Sequence, residues 1–173
     1  IMSFTDHDYI TIPEKVDEQL AEIASKQTEG NKDTRDFDTD NYEKANYKGL
    51  CGEWVFSAYY GVQFEPEIAK ADDNYDFELE HIPSGTIGKV DVKCIEFEGG
   101  DLLVRAWKEL TASHYFLTEK RNRDVGLIGV ATRDMVDNAK IYPEGVYSPV
   151  KVRRVPRDKL IPTMHPKNMK GVN

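Results

Sequence analysis

The sequence predicts an α/β protein in which a central β-sheet is flanked by helices. Two observations indicate this class. Apolar residues recur at helical spacing in two early segments, and several later runs rich in β-branched and aromatic residues are bounded by turn formers. The 173 residues suffice for one domain with a sizeable core, and 39% hydrophobic with 31% charged residues is ordinary for a globular protein. We expect a single domain over residues 1–162 and a basic, flexible tail over residues 163–173.

The first helix is expected over residues 11–26. Thr11 or its neighbour stands in a capping position, Pro13 fits the first turn, and an apolar stripe at helical spacing follows. The next segment, residues 27–44, is polar and charged, which predicts a loop. We expect this helix to contribute packing and no chemistry.

A second helix is expected from residue 42 or 47 to residue 60, where Gly61 fits a C-terminal cap. Its apolar face is formed by Leu50, Trp54 and Ala58. Glu53 lies beside this face in a stretch with almost no other charge, so its side chain is expected to border the buried region. Either a functional site or an ordinary pairing with Lys48 or with a backbone donor would account for it.

Five strands are predicted after the second helix. They cover residues 75–79, 90–95, 102–107, 115–118 and 125–131. The continuous apolar runs among the later strands fit the interior of a sheet that is covered on both faces. A charged loop is expected at residues 119–124, and Thr132 is expected to cap a short helix. Residues 147–155 are then expected to form an edge strand, before a turn at residues 156–160.

Charged residues interrupt the apolar strand at residues 90–95. Because side chains alternate along a strand, Asp91 and Lys93 share one face with Ile95. Unpaired charges are costly to bury, so an Asp and a Lys on so apolar a strand require an explanation. A metal ion is one explanation, since Asp76 on the preceding strand would complete the site. Two carboxylates beside an ammonium suit the hydrolysis of a phosphodiester.

Asp76, a spacer of 14 residues and the Asp91-x-Lys93 pair resemble the core motif of the PD-(D/E)XK nuclease superfamily. In that superfamily a helix Glu commonly precedes the first Asp, and Glu53 stands 23 positions before Asp76. Tyr75 occupies the place of the leading Pro, which is optional in the superfamily. The order of segments over most of the chain also resembles small phage and virus proteins of this superfamily.

The resemblance implies a restriction-endonuclease-like core, with a central mixed sheet of about five strands flanked by helices. It implies a Mg²⁺-dependent deoxyribonuclease, expected to act as an endonuclease that leaves a 5′-phosphate, with Mn²⁺ substituting for Mg²⁺. The implied catalytic residues are Glu53, Asp76, Asp91 and Lys93. The implied metal ligands are the three carboxylates and the backbone carbonyl of Val92, an all-oxygen set that suits Mg²⁺ or Mn²⁺. Lys93 would orient the attacking water or help to deprotonate it.

The charge of the chain is unevenly distributed. Residues 140–173 carry eight Lys or Arg and two acids, whereas the first 139 residues carry 15 basic and 29 acidic residues, within a net charge of −8. The C-terminal segment is therefore the better candidate for contacts with DNA phosphates, although a solvated basic strand and tail would explain it equally well. The candidate DNA-binding residues, chosen by charge and position, are Arg105, Lys108, Lys120, Arg121, Arg123, Arg153 and Arg154.

Two other interpretations stay open. The same fold with an inactive site would be a module that binds DNA or a protein partner, and an unrelated α/β domain would use Asp91 and Lys93 merely as an ion pair. No apolar run approaches the roughly 20 residues that span a bilayer, so no membrane partner is expected. Cys51 and Cys94 have no metal-binding spacing and suit a reducing compartment. We expect a cytoplasmic protein, in the host cell if it is phage or viral, and a homodimer if both DNA strands are cut.

Overall fold

The structure, a computed structural model, describes residues 8–30, 39–66, 75–79, 88–143 and 150–163. Its elements in chain order are β1 (Tyr9–Thr11), α1 (Glu14–Gly30), α2 (Thr39–Tyr60), β2 (Phe77–Leu79), β3 (Gly88–Ile95), β4 (Leu102–Arg105), β5 (His114–Arg121), β6 (Asp124–Thr132), α3 (Arg133–Asp137), β7 (Lys140–Pro143) and β8 (Lys151–Val155). A 3-10 turn follows at Arg157–Lys159, within the turn predicted there. The α/β class is confirmed, while the predicted tail from residue 164 onwards lies outside the described residues.

Five of the described strands form the main sheet, in the order β1-β6-β5-β3-β2. β3 and β5 run parallel, and the other neighbouring pairs are antiparallel, so the sheet is mixed. The membership of the sheet differs from the prediction. β1, whose last residue Thr11 was expected to cap a helix, pairs with β6 instead, and β4 lies in a second sheet.

The second sheet contains three described strands in the order β4-β8-β7. The prediction that residues 147–155 form an edge strand is wrong, because β8 lies in the centre with an antiparallel neighbour on each side. The strand predicted to reach residue 107 ends at Arg105, where the amide of Lys108 donates to the Arg105 carbonyl over 3.3 Å and turns the chain. β7 was not predicted, since all four of its residues are exposed and show no buried pattern.

Two apolar cores lie on opposite faces of the main sheet. The first includes Leu20, Leu50, Phe56, Val90 and Phe116, and the second includes Leu102, Tyr115, Leu117, Ile128 and Val136. α1 and α2 cover the first face, and the second sheet with the short α3 covers the other. The main sheet is therefore buried on both faces, as its continuous apolar runs indicated, but long helices flank only one face.

α1 continues past its predicted end at residue 26 and reaches Gly30. Thr28 is buried, its hydroxyl donates to the carbonyl four residues earlier over 2.8 Å, and the side-chain amide of Asn46 donates to that hydroxyl over 3.2 Å. Contact with α2 therefore extends the helix through residues whose polarity predicted a loop. Because α2 begins at Thr39, the predicted loop over residues 27–44 is too long at both ends.

The loop predicted at residues 119–124 is also wrong. β5 and β6 continue to a two-residue turn in which Asn122 adopts a left-handed φ of 55°, a conformation that Asn tolerates better than most residues. Glu119, within β5, is fully buried and pairs with Arg157 over 2.8 Å. A partner far along the chain thus makes a charged residue compatible with a buried strand, and the local sequence pattern does not reveal that partner.

The described helices include a short one, α3, with a side-chain cap at its start. The Thr132 hydroxyl accepts the amide of Met135 over 3.3 Å, which confirms the predicted cap. Among the residues that the structure describes, no helix is both long enough and apolar enough to cross a membrane.

Candidate active site

The candidate site lies where the pairing between β2 and β3 ends. β2 pairs with residues 88–90 of β3, so within the described ranges the rest of β3 has an open edge on that side. Asp76, directly before β2, donates its amide to the Val90 carbonyl over 2.8 Å and accepts the Val92 amide on its Oδ2 over 2.7 Å. The carboxylate thus takes the place of a strand carbonyl. Because the N–H and C=O of one extended residue point to the same side, the Val92 carbonyl is directed towards Asp76 as well.

Asp91 and Lys93 lie on the face of β3 that turns towards the second sheet, as the strand alternation predicts. The Lys93 Nζ lies 2.8 Å from the Asp91 Oδ2, and both side chains are partly buried. In the parallel register with β5, Asp91 stands beside Tyr115. Burial, followed by the Asp91 charge, raises the pKa of Tyr115 to about 12. Asp91 therefore pairs with the Lys93 ammonium and lies near Tyr115.

Glu53 reaches the site from α2, and Gly52 allows that helix to lie close to the sheet. A Cβ at position 52 would lie 2.7 Å from the Thr118 Oγ1 and 2.9 Å from the Cys94 Cβ, so a larger residue would push α2 away from β3 and β5. Within the described residues, neither Lys48 nor a backbone donor forms a hydrogen bond or ion pair with Glu53. The ordinary pairing considered for this carboxylate is therefore not formed there.

The carboxyl groups of Glu53 and Asp76 hold their protons far more tightly than usual. Burial, followed by the negative charges of Asp76 and Asp91, raises the pKa of Glu53 well above its ordinary range, and Lys93 opposes this. The surrounding protein and then the Asp91 charge raise the pKa of Asp76 to about 7. By surface area Asp76 is an exposed residue. The Asp76 carboxyl is therefore surrounded by protein atoms and still reached by solvent.

The structure brings together the four side chains that the sequence singled out. Asp76, Asp91 and Lys93 each lie close enough to affect the pKa of Glu53, and Asp91 lies close enough to raise the pKa of Asp76. The open edge of β3 explains how Glu53, from the helix side of the sheet, meets residues on the opposite face. Three carboxylates beside one ammonium leave an excess of negative charge, which either protons or a cation would neutralise.

The donors fit a hard divalent cation in kind, because carboxylate and carbonyl oxygens are the ligands that Mg²⁺ and Mn²⁺ prefer. They are not assembled in advance. In the described part of the chain, no three His, Cys, Asp or Glu side chains are grouped as they would be around a metal ion. Asp91 is turned to Lys93, and one oxygen of Asp76 accepts the Val92 amide. A cation would have to compete with Lys93 for Asp91.

The candidate DNA-binding residues fall into two groups. Arg105 and Arg154 are exposed on one face of the second sheet, and Lys108 follows β4 with its Nζ 5.8 Å from the ring centre of Trp107. Arg105 and Arg154 share this face and Lys108 is close to Arg105 along the chain, so the three remain candidates for contacts with phosphates.

The remaining four candidates form the second group, and each is positioned by a contact within the protein. Lys120 is buried with its Nζ 5.1 Å from the ring centre of Tyr47, and Arg121 pairs with glutamates at 3.0 and 3.3 Å. Arg153 turns towards α3 and donates to the Asp137 carbonyl over 2.9 Å. Arg123 lies in the turn between β5 and β6, where it donates to a backbone carbonyl of the segment after β1 over 3.5 Å. Each of these contacts gives its residue a structural role.

Sequence reasoning missed two residues that shape the site, Gly52 and Tyr115. A glycine inside an apolar helix is a weak signal of close packing, and it could have been noticed next to Glu53. Tyr115 acquires its place beside Asp91 only through the parallel register of β3 and β5, which no local pattern reveals.

Comparison with protein-family models, with curated proteins and with solved structures finds no match to this chain. The function proposed below is therefore inferred from the residues of the site and from their geometry.

Proposed function

We propose that this protein is a metal-dependent DNA nuclease that hydrolyses phosphodiester bonds and leaves a 5′-phosphate. The observation that carries the proposal is the convergence of Glu53, Asp76, Asp91 and Lys93 at the open edge of β3. The types and the order of these residues resemble the PD-(D/E)XK motif. A mixed sheet with a parallel β3–β5 pair is compatible with the restriction-endonuclease-like core that this resemblance implies.

The reaction explains why these residue types would be needed. Water adds to the phosphorus and the bond to the 3′ oxygen breaks, so one product ends in a 3′-hydroxyl and the other in a 5′-phosphate. The attacking water must lose a proton, and negative charge develops on the leaving oxygen. Lys93 would orient the water, help to remove its proton and offset charge on the phosphate.

Glu53, Asp76, Asp91 and the Val92 carbonyl would hold Mg²⁺, with Mn²⁺ as a substitute. When bound, such an ion acidifies water and neutralises developing negative charge. Asp91 would exchange its 2.8 Å contact with Lys93 for the ion. Lys93 would then be free to contact the substrate, so one rearrangement would prepare both groups.

The test is the nicking of a supercoiled plasmid in Mg²⁺. We expect Asp91→Asn and Lys93→Met each to slow nicking about 100-fold or more, and EDTA to abolish it. Glu78→Gln is the matched control, because Glu78 is an exposed acid on β2, two residues after Asp76, and should leave the rate unchanged. Nicking that is equally fast in all of these variants would refute the proposal.

A second candidate is a module of the same fold that binds DNA or a protein without cleaving it. The observation that favours it is the present pairing of Asp91 with Lys93, which leaves no closed group of metal ligands among the described residues. DNA binding by the wild type without any cleavage in Mg²⁺ or Mn²⁺ would decide for this module.

The assembly and the location belong to the same proposal. Cutting both strands of a duplex requires two sites, so we extend the proposal to a homodimer, which sedimentation of the protein with and without DNA would detect. Cys51 and Cys94 are both free, as suits a reducing cytoplasm. For a phage or viral protein, that cytoplasm would be the host cell's.

A further inference from the structure

One face of the second sheet carries basic side chains and an aromatic side chain. Paired residues on antiparallel strands project on the same face, and the registers of β4 with β8 and of β8 with β7 therefore define one surface. This outer face comprises Leu103, Arg105, Lys140, Tyr142, Val152 and Arg154. The side chains of β4 and β8 that alternate with it, such as Leu102, Val104 and Val155, pack into the second core. The outer face thus turns away from the protein.

Exposure supports this orientation, because every residue of the outer face except Val152 is exposed. Val152 is buried, yet among the described residues it belongs to neither core. Its cross-strand neighbours are Arg105 on one side and Tyr142 on the other, and their side chains flank it. The centre of the outer face is therefore closed, and longer polar and aromatic side chains surround it.

One exposed aromatic ring lies on this face, and a second follows β4 directly along the chain. Tyr142 is 40% exposed, and Trp107, in the turn directly after β4, is 70% exposed. The Arg154 guanidinium carbon lies 5.7 Å from the ring centre of Tyr142, and the Lys108 Nζ lies 5.8 Å from that of Trp107. Aromatic rings beside cations are the combination with which proteins bind unpaired nucleotides, since each base has a π-face and each nucleotide a phosphate.

The charge of the outer face is opposite to that of the whole chain. Arg105, Lys140 and Arg154 supply positive charge, and Asp101 at the edge offsets part of it, because its carboxylate accepts the Arg154 Nε over 2.6 Å. The chain as a whole carries a net charge of −8. A polyanion is therefore repelled by much of the protein and directed to this face.

We propose that the outer face, together with Trp107, binds single-stranded nucleic acid. Unpaired bases would stack on Trp107 and Tyr142, while Arg105, Lys140 and Arg154 would contact the phosphates. A duplex hides the faces of its bases in the stack, so the surface favours a single strand. This binding needs neither a cation nor an intact catalytic set, so it can be tested separately from the nuclease activity.

The experiment measures the fluorescence anisotropy of labelled oligothymidylate and oligouridylate in EDTA, with the full chain. Trp107→Ala and Tyr142→Ala should each weaken binding roughly tenfold or more. Phe97→Ala is the control, because Phe97 is 77% exposed and lies outside the outer face, and it should leave the affinity unchanged. Binding of either the DNA or the RNA strand supports the proposal, and binding of neither overturns it.

Two further measurements identify the contacts. Arg105→Ala should reduce the slope of log K against log salt by about 0.7, the value for one phosphate contact on a single strand. In a Trp54→Phe background, Trp107 is the remaining tryptophan of the two in the chain, and stacking should quench its fluorescence. The proposal fails if a duplex of matched length binds as tightly as the single strand and Trp107→Ala weakens both equally. It also fails if the fluorescence of Trp107 does not change at saturation.

Discussion

Asp76 contributes to the site through two separable properties. Its Oδ2 accepts the Val92 amide and so satisfies β3 where strand pairing stops. Its negative charge, by contrast, is unfavourable, because the surrounding protein and Asp91 raise its pKa to about 7. Asp76→Asn keeps an oxygen for the Val92 amide and removes the charge. This substitution therefore separates the structural property from the electrostatic one.

The raised pKa predicts how the metal-free protein responds to pH. From about pH 4 to 7 the folded state keeps a proton on Asp76 that the unfolded chain has already released. Stability from this group is therefore lost as the pH rises through that window, and Glu53 acts in the same direction. In EDTA, urea unfolding should show Asp76→Asn gaining stability relative to the wild type between pH 4 and 7.

The free energy of unfolding of the variant must be compared with that of the wild type at each pH. Carboxylates that form ion pairs elsewhere in the chain make the stability of both proteins rise with pH, and the difference removes this contribution. Glu78→Gln, on the same strand and exposed, should parallel the wild type throughout. A constant difference between Asp76→Asn and the wild type across the window would show that Asp76 ionises normally.

Glu119 illustrates a buried charge with a different purpose. It is fully buried, and its carboxylate accepts hydrogen bonds from Arg157 at 2.8 Å, the Gly99 amide at 3.0 Å and the Arg121 Nε at 3.3 Å. Glu119→Ala would leave the largely buried side chain of Arg157 without its carboxylate partner, which should cost about 3–5 kcal/mol in the free energy of unfolding. Urea denaturation measures this directly.

Glu98→Ala is the control for that prediction. Glu98 pairs with the same Arg121 at 3.0 Å, but its side chain is 76% exposed. Because exposed ion pairs contribute little, we expect a loss of less than about 1 kcal/mol. Equal losses in the two variants would mean that burial is not what gives the Glu119 pair its stabilising effect.

At the scale of elements, the distance between α2 and the sheet decides where Glu53 lies. Gly52→Ala would place a methyl 2.7 Å from the Thr118 Oγ1 and 2.9 Å from the Cys94 Cβ. We expect a loss of about 1–3 kcal/mol in the free energy of unfolding, because the helix must move outwards. Any Mg²⁺-dependent nicking should fall as well, since Glu53 moves with the helix.

Gly49→Ala in the same helix is the matched control. A Cβ at position 49 would meet nothing within 4 Å, so alanine should raise stability by up to about 1 kcal/mol through its higher helix propensity. Should Gly52→Ala prove as harmless as Gly49→Ala, α2 would not depend on the close approach for its position.

Elements were predictable from the sequence where their pattern is local. The Thr132 cap and the strand alternation around Asp91 are examples, because both depend on residues within a few positions. β1 was not predictable, since its pairing with β6 joins residues more than 100 positions apart. The central position of β8 between β4 and β7 is likewise a property of the assembled sheet.

At the scale of the whole molecule, the candidate site was predictable in its members and not in its geometry. The order of Glu53, Asp76, Asp91 and Lys93 along the chain suggested that they belong together. Their meeting depends on where β2 stops pairing, on the parallel β3–β5 register and on the approach of α2, all of which are tertiary. From the sequence, a contact between Asp91 and Lys93 was expected only in the interpretation in which the two residues form an ion pair and have no catalytic role.

Negative and positive charge lie in different parts of the molecule. Three carboxylates lie at the open edge of β3, and the outer face of the second sheet carries the basic side chains that would bind a nucleic-acid strand. Because the proposed cation site and the proposed strand-binding face consist of different residues, Asp91→Asn should leave strand binding in EDTA unchanged, and Trp107→Ala should leave cation binding unchanged.

The central claim is that Glu53, Asp76 and Asp91 form one site for a divalent cation. A calorimetric titration of the metal-free protein with Mn²⁺ at pH 8 tests it most directly, because there the Asp76 carboxyl, with its pKa of about 7, is mostly ionised. We expect saturable binding by the wild type and by Glu78→Gln, and its loss in Asp91→Asn and in Glu53→Gln. Binding of equal strength in all four proteins, or no binding by the wild type, would contradict it.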